Sequence, residues 1–151
     1  MKKQALLTVL LCAVLVLTAC NRKIETVEVN EDFFAEQIND IQYRNPDFFN
    51  GKQFSYEGYV YLLNDKDRLA GRTADFAVCR NLEYDPITTI KIGLGCKYNG
   101  QTPEADAWVR VTGIIIADIM TNYDGSEEEY AYLKVTKLEI LPQRGNDTIY
   151  N

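Results

Sequence analysis

The alternation of residues over Gln53-Phe54-Ser55-Tyr56-Glu57-Gly58-Tyr59-Val60-Tyr61-Leu62-Leu63 constrains this chain more than any other stretch. Phe54, Tyr56, Gly58, Val60 and Leu62 share one face at the period of two that a pleated strand imposes. Gln53, Ser55, Glu57, Tyr59 and Tyr61 share the other, which is polar and aromatic. Gly58 removes a side chain in mid-strand, where a strand bends or another backbone comes close. The stretch therefore predicts the first long strand of a small β-barrel, with an apolar interior face.

The remaining signals follow the same logic. Before this strand, Phe34, Ile38 and Ile41 recur at i, i+4 and i+7, so residues 31–43 are expected to form one amphipathic helix with Asn30 as N-cap. Asn45-Pro46 ends it, because the residue before proline is pushed out of the helical region. After it come a less regular strand over 69–80, a loop over Asn81–Pro86 and a third strand over 87–96. A fourth, rich in β-branched residues, spans 108–116, and a fifth spans 130–141. Asn122-Tyr123-Asp124-Gly125-Ser126 is the clearest turn signal. Connections this short exclude crossover helices and imply antiparallel pairing. The expected class is mainly β: a five-stranded antiparallel barrel like the oligonucleotide/oligosaccharide-binding (OB) fold, preceded by one helix, which closes the sheet without sticky edges. The expected organisation is a signal segment 1–19, a polar tether 20–30, a domain 31–141 and a polar tail 142–151.

The first twenty residues point to location. Lys2 and Lys3 precede an apolar run from Ala5 to Leu17, and Leu17-Thr18-Ala19-Cys20 is a small-residue cleavage site ending in cysteine. This resembles a bacterial lipobox, which implies cleavage before Cys20 and acylation of its sulfur, including palmitate-type chains. Several acyl chains, each contributing about 0.8 kcal/mol per buried methylene, tether a protein durably. The expected place is the bacterial cell envelope, on the extracytoplasmic side of the membrane, with the membrane itself as a partner through the lipid anchor. The net charge of −6, which becomes −8 once Lys2 and Lys3 leave, argues against nucleic acid, whose phosphates need basic surface.

Cysteine and tyrosine carry the remaining chemistry. Cys79 and Cys96 have three readings: two small buried side chains, a disulfide, or ligands of a soft metal. A metal would have to recruit carboxylates or backbone groups, because the chain has no histidine. The acidic run from Asn122 to Glu129 is not an EF-hand loop, since Met120 stands where an acidic ligand is needed. Tyr59 and Tyr61 fall on the outer face of the first strand, and Tyr130 and Tyr132 on one face of the last. They either form a binding face, stacking on a sugar or another flat group, or pack beneath the helix; packing is the simpler expectation. No nucleophile elbow, phosphate loop or apolar carboxylate pair is present in the sequence, so an enzyme is not expected and no cofactor is implied beyond that metal option.

From Asp32 to Leu141 the chain resembles the YcgQ-like family of permease subunits. The resemblance rests on Phe33-Phe34, on Asn45-Pro46-Asp47-Phe48-Phe49-Asn50-Gly51-Lys52, and on Tyr56-Glu57-Gly58-Tyr59-Val60-Tyr61. It continues in Phe76-Ala77-Val78-Cys79, Gly93-Leu94-Gly95-Cys96 and Asp106-Ala107-Trp108-Val109-Arg110-Val111-Thr112-Gly113. That family commonly has a Cys-Cys pair and then an acidic residue where this chain has Cys79-Arg80-Asn81. The resemblance implies a domain that pairs with an integral-membrane permease, in a family with no settled activity. Two alternatives accompany this accessory or solute-binding role. One is a thiol-dependent metal-binding protein using Cys79 and Cys96. The other is a structural envelope protein that binds glycan or protein through the barrel face.

Overall fold

The computed structural model describes residues 24–65, 67, 73–85 and 87–150. The signal segment, Cys20 and residues 69–72 of the predicted second strand lie outside them.

Seven strands and a broken helical arm make up the described chain. They are β1 (Thr26–Val27), β2 (Gln53–Tyr61), β3 (Phe76–Asp85), β4 (Thr88–Lys97), β5 (Trp108–Thr121), β6 (Glu127–Ile140) and β7 (Thr148–Tyr150). The arm runs through a 3-10 turn (Glu31–Phe33), α1 (Phe34–Asn39) and a π turn (Asp40–Arg44). A separate short helix, α2 (Pro46–Phe49), follows it. The strands form one mixed sheet in the order β1-β2-β5-β6-β4-β3-β7, and β2 also pairs with β3. β1–β2, β4–β6 and β3–β7 are parallel and the other pairs antiparallel.

This corrects the expectation of five antiparallel strands. β1 and β7 arise in the segments read as tether and tail, and a strand of two or three residues is too short to show a period. The stretch 81–85, expected to be a loop, continues β3 with Asn81 opposite Lys91 and Leu82 opposite Ile90. Its turn is tighter than expected, and Asp85 Oδ1 accepts from the Ile87 N–H at 2.9 Å.

Where local pattern rules, it holds. Phe54, Tyr56 and Val60 of β2 enter a core with Phe34, Ile38 and Ile41 of the arm, although Leu62 ends up exposed. The arm is not one regular helix. Asn30 supplies no side-chain cap; its N–H donates to Gln37 Oε1 at 2.9 Å, and Gln37 Nε2 donates to the Glu28 carbonyl at 2.7 Å. Gln37 thereby fastens the lead-in to the arm. β5 and β6, fourteen residues each, form a long hairpin whose turn is the predicted Asn122–Ser126, with Gly125 at φ 83°.

Gly58 and Gly93 both serve close approach. A Cβ on Gly58 would stand 2.6 Å from the Cys79 carbonyl oxygen, and one on Gly93 only 1.9 Å from that of Val78. Both neighbouring strands thus press against the same two residues of β3.

Candidate functional site

The tight crossing at Val78–Cys79 shapes the outer face of β2–β3–β4. Across the three strands the register places Tyr61, Ala77 and Gly95 in one row and Tyr59, Cys79 and Gly93 in the next. The middle of this face therefore has small side chains or none. A cleft of about 130 Å³ lies over it, floored by Ala77, Cys79, Gly93 and Gly95. Tyr61 at the end of β2 and Leu63 just after it bound one side. Asn39, Gln42 and Tyr43 of the arm, with Met120 and Tyr130 of the β5–β6 hairpin, bound it elsewhere. Met120 and Tyr130 are buried.

The walls are held by hydrogen bonds. Tyr61 Oη donates to Asp67 Oδ2 at 3.1 Å and accepts from Asn64 Nδ2 at 2.8 Å. Desolvation and the Asp67 bond hold its phenol above the ordinary tyrosine value. Tyr130 Oη and Thr73 Oγ1 are 3.0 Å apart. Lys91 Nζ stands 5.4 Å from the Tyr61 ring centre.

The structure separates residues that the sequence grouped. Tyr61 and Tyr130 reach the cleft, whereas Tyr59 and Tyr132 do not. Tyr59 is buried in a second apolar cluster with Ala77, Cys79 and Trp108. Its Oη donates to Asn81 Oδ1 at 2.7 Å, and Arg144 of the C-terminal segment lies 5.3 Å from its ring. Burial, with smaller contributions from nearby acidic groups, pushes the Tyr59 phenol up to about 12. Tyr132 is half-buried and covered by Lys97 Nζ at 4.1 Å. The expectation from the sequence is that these tyrosines pack beneath the arm; of the four, only Tyr61 and Tyr130 share a cleft with arm residues. The arm's apolar face enters the main core, where Phe34 meets Tyr56 at 5.6 Å.

The cysteine pair is likewise separated. Cys79 lies opposite Gly93, and Cys96 opposite Phe76, three residues further along β4. An odd offset on a pleated ribbon sends the two side chains to opposite faces. Cys96 is wholly buried in the main core, its thiol pushed upward chiefly by burial, while Cys79 belongs to the outer cluster. No Cys79–Cys96 disulfide forms, and the two sulfurs cannot grip one ion. Among the described residues there is no group of three or more Cys, Asp or Glu placed to hold a metal.

A second, wider groove of about 700 Å³ lies between the start of the arm and the C-terminal segment, over Arg80, Glu57 and Trp108. Its central charges are engaged within the fold. Arg80, buried on the inward side of β3, donates from Nε to the Glu57 carbonyl at 2.8 Å, pairs with Glu31, and stacks 4.3 Å from the Phe34 ring centre. The Glu57 carboxylate receives Arg110 Nε at 3.0 Å and Trp108 Nε1 at 3.3 Å. This groove reads as a clamp that ties arm to sheet. Sequence reading missed Arg80 and Lys91. The visible trace of Arg80 was a charge at an inward position of the alternation Phe76, Val78, Arg80, Leu82.

The architecture defines a mainly β domain whose least committed surface is a small cleft on β3–β4. The chain belongs to the DUF1980 C-terminal domain family, which it matches over residues 17–151. This is the YcgQ-like type of family that the sequence motifs resemble. Comparison with curated proteins and with solved structures yields no match. No helix among the described residues is long and apolar enough to cross a membrane.

Proposed function

We propose that this chain is a lipid-anchored extracytoplasmic domain without catalytic activity, which binds a solute in the β3–β4 cleft as the accessory subunit of a membrane permease. The observation that carries this reading is where the cleft sits. The pairing ladder runs β2-β5-β6-β4-β3 and returns to β2, so the five long strands have the neighbours expected in an OB-like barrel. In such barrels the second and third strands carry the binding face. Here those strands are β3 and β4, which floor the cleft. The analogy supports binding at that face; the lipobox at Leu17–Cys20 supports the anchor and the envelope location. The family resemblance supports the permease. With the cysteines on opposite faces, the thiol–metal alternative is set aside.

Two measurements test the proposal together. Cys20→Ala should move the protein from the membrane fraction to the soluble fraction. Affinity purification from detergent-solubilised membranes should recover an integral-membrane protein with the wild-type chain. Retention of Cys20→Ala on membranes, or recovery of abundant bait without such a partner, would remove the anchor or the permease role respectively.

A further inference from the structure

Building on the cleft as a solute site, we propose that it takes a small organic monoanion: a carboxylate on an apolar body about the size of a benzene ring. The first argument is charge. The chain has 22 acidic residues against 16 Lys and Arg, yet among the described residues no Asp or Glu lines the cleft. Among the described residues Lys91 is the one charged residue lining it, and no carboxylate among them pairs with it. An acidic surface repels anions over a range of about 8–10 Å at physiological salt. A described lining that carries a lysine and no carboxylate, with Asp67 behind the wall and bonded to Tyr61 Oη, suits a single negative charge.

The second argument is size and lining. A volume near 130 Å³ is close to the ~150 Å³ cavities that accept benzene. Ala77, Ile92, Met120, Tyr61 and Tyr130 offer apolar contact, and methionine adapts to irregular shapes. A polyanion would have to lose its hydration against these walls with one cation to compensate, which is unfavourable. The third argument is the half-buried amides of Asn39 and Gln42, which make no hydrogen bond to protein groups among the described residues. They line the same cleft as Lys91 and are donors available to carboxylate oxygens.

The test is calorimetric titration of the full chain in detergent with butanoate, hexanoate and benzoate, against benzyl alcohol and benzylamine. At least one of the acids should bind saturably and more tightly than both controls. Lys91→Met should weaken that binding about tenfold, the scale of one charge-assisted hydrogen bond, and Lys91→Arg should largely retain it. Lys91 is exposed on a strand, so both variants should melt as wild type does. Equal binding of benzyl alcohol or benzylamine, or acid binding unchanged in Lys91→Met, would overturn the anion preference while leaving the cleft a solute site. Binding by none of the five compounds would remove the cleft itself as a solute site.

Discussion

Gly93 shows how one residue can set the shape of a surface. With no side chain, it lets β4 close on the backbone of β3, and that approach leaves a smooth floor under the cleft. Gly93→Ala would force a Cβ into the Val78 carbonyl, and backbone cannot move aside as a flexible side chain can. The expected cost is about 3 kcal/mol, seen as a lower urea midpoint at an unchanged slope. A variant as stable as wild type would show that the two strands do not cross so tightly. Only part of this was legible beforehand. The alternation placed Gly58 and Gly93 within strands, but not which backbone each admits. The same limit applied to Tyr59: its parity put it outward, as the structure does, yet the C-terminal segment then buries it. Parity reports a face of the sheet and says nothing of what covers that face.

Among elements, the C-terminal segment does more than its composition suggests. β7 pairs with Asn81–Glu83 of β3, and the Asn81 N–H donates to the Asp147 carbonyl at 2.6 Å. Before it, Gly145 lies flat on Trp108, where a Cβ would stand 2.9 Å from Cζ2. Arg144 lies over Trp108 and Tyr59 and pairs with Asp147 at 2.7 Å. That ion pair holds the Asp147 carboxyl below its ordinary value. Removing residues 143–151 should uncover Trp108, the chain's single tryptophan. Its fluorescence emission should shift to the red, and stability should fall by about 2 kcal/mol from lost apolar burial. An unshifted emission would mean that the segment does not cover the indole. The arm behaves differently. Its i, i+4, i+7 spacing identified the buried face correctly, because one turn of helix is local. Its irregular path was not legible, because that path answers to Gln37 reaching back to the lead-in.

At the scale of the whole molecule, phenols with raised pKa values set an alkaline limit. Tyr56 is held well above its ordinary value, chiefly by burial; Tyr61 is raised and Tyr59 reaches about 12. The Tyr56 Oη donates to the Val78 carbonyl at 2.8 Å and accepts from the Leu94 N–H at 3.0 Å, joining β2, β3 and β4 across the core. A phenol whose folded pKa exceeds its unfolded value favours the fold while protonated. Its contribution is complete below the unfolded value of 10.0 and, for Tyr59, is lost as pH rises through about 12. Stability measured by urea unfolding should therefore decline above about pH 10, and Tyr59→Phe should make that decline shallower. An identical alkaline slope in wild type and Tyr59→Phe would show that Tyr59 titrates alike in both states.

The sequence by itself determined what depends on neighbours along the chain. It identified the inward face of β2, the buried stripe of the arm, the stop at Asn45-Pro46 and the turn at Asn122–Ser126. Only the tertiary structure decided what depends on register between distant segments. That includes the strands at residues 26–27 and 148–150, the opposite faces of Cys79 and Cys96, and the separation of Tyr59 from Tyr61. The cleft around Lys91 belongs to this second group. Its lining comes from residues 38–43, 61–63, 73–79, 91–95 and 120–131. Periodicity assigns each of those stretches a face, but only the pairing of strands brings the faces together.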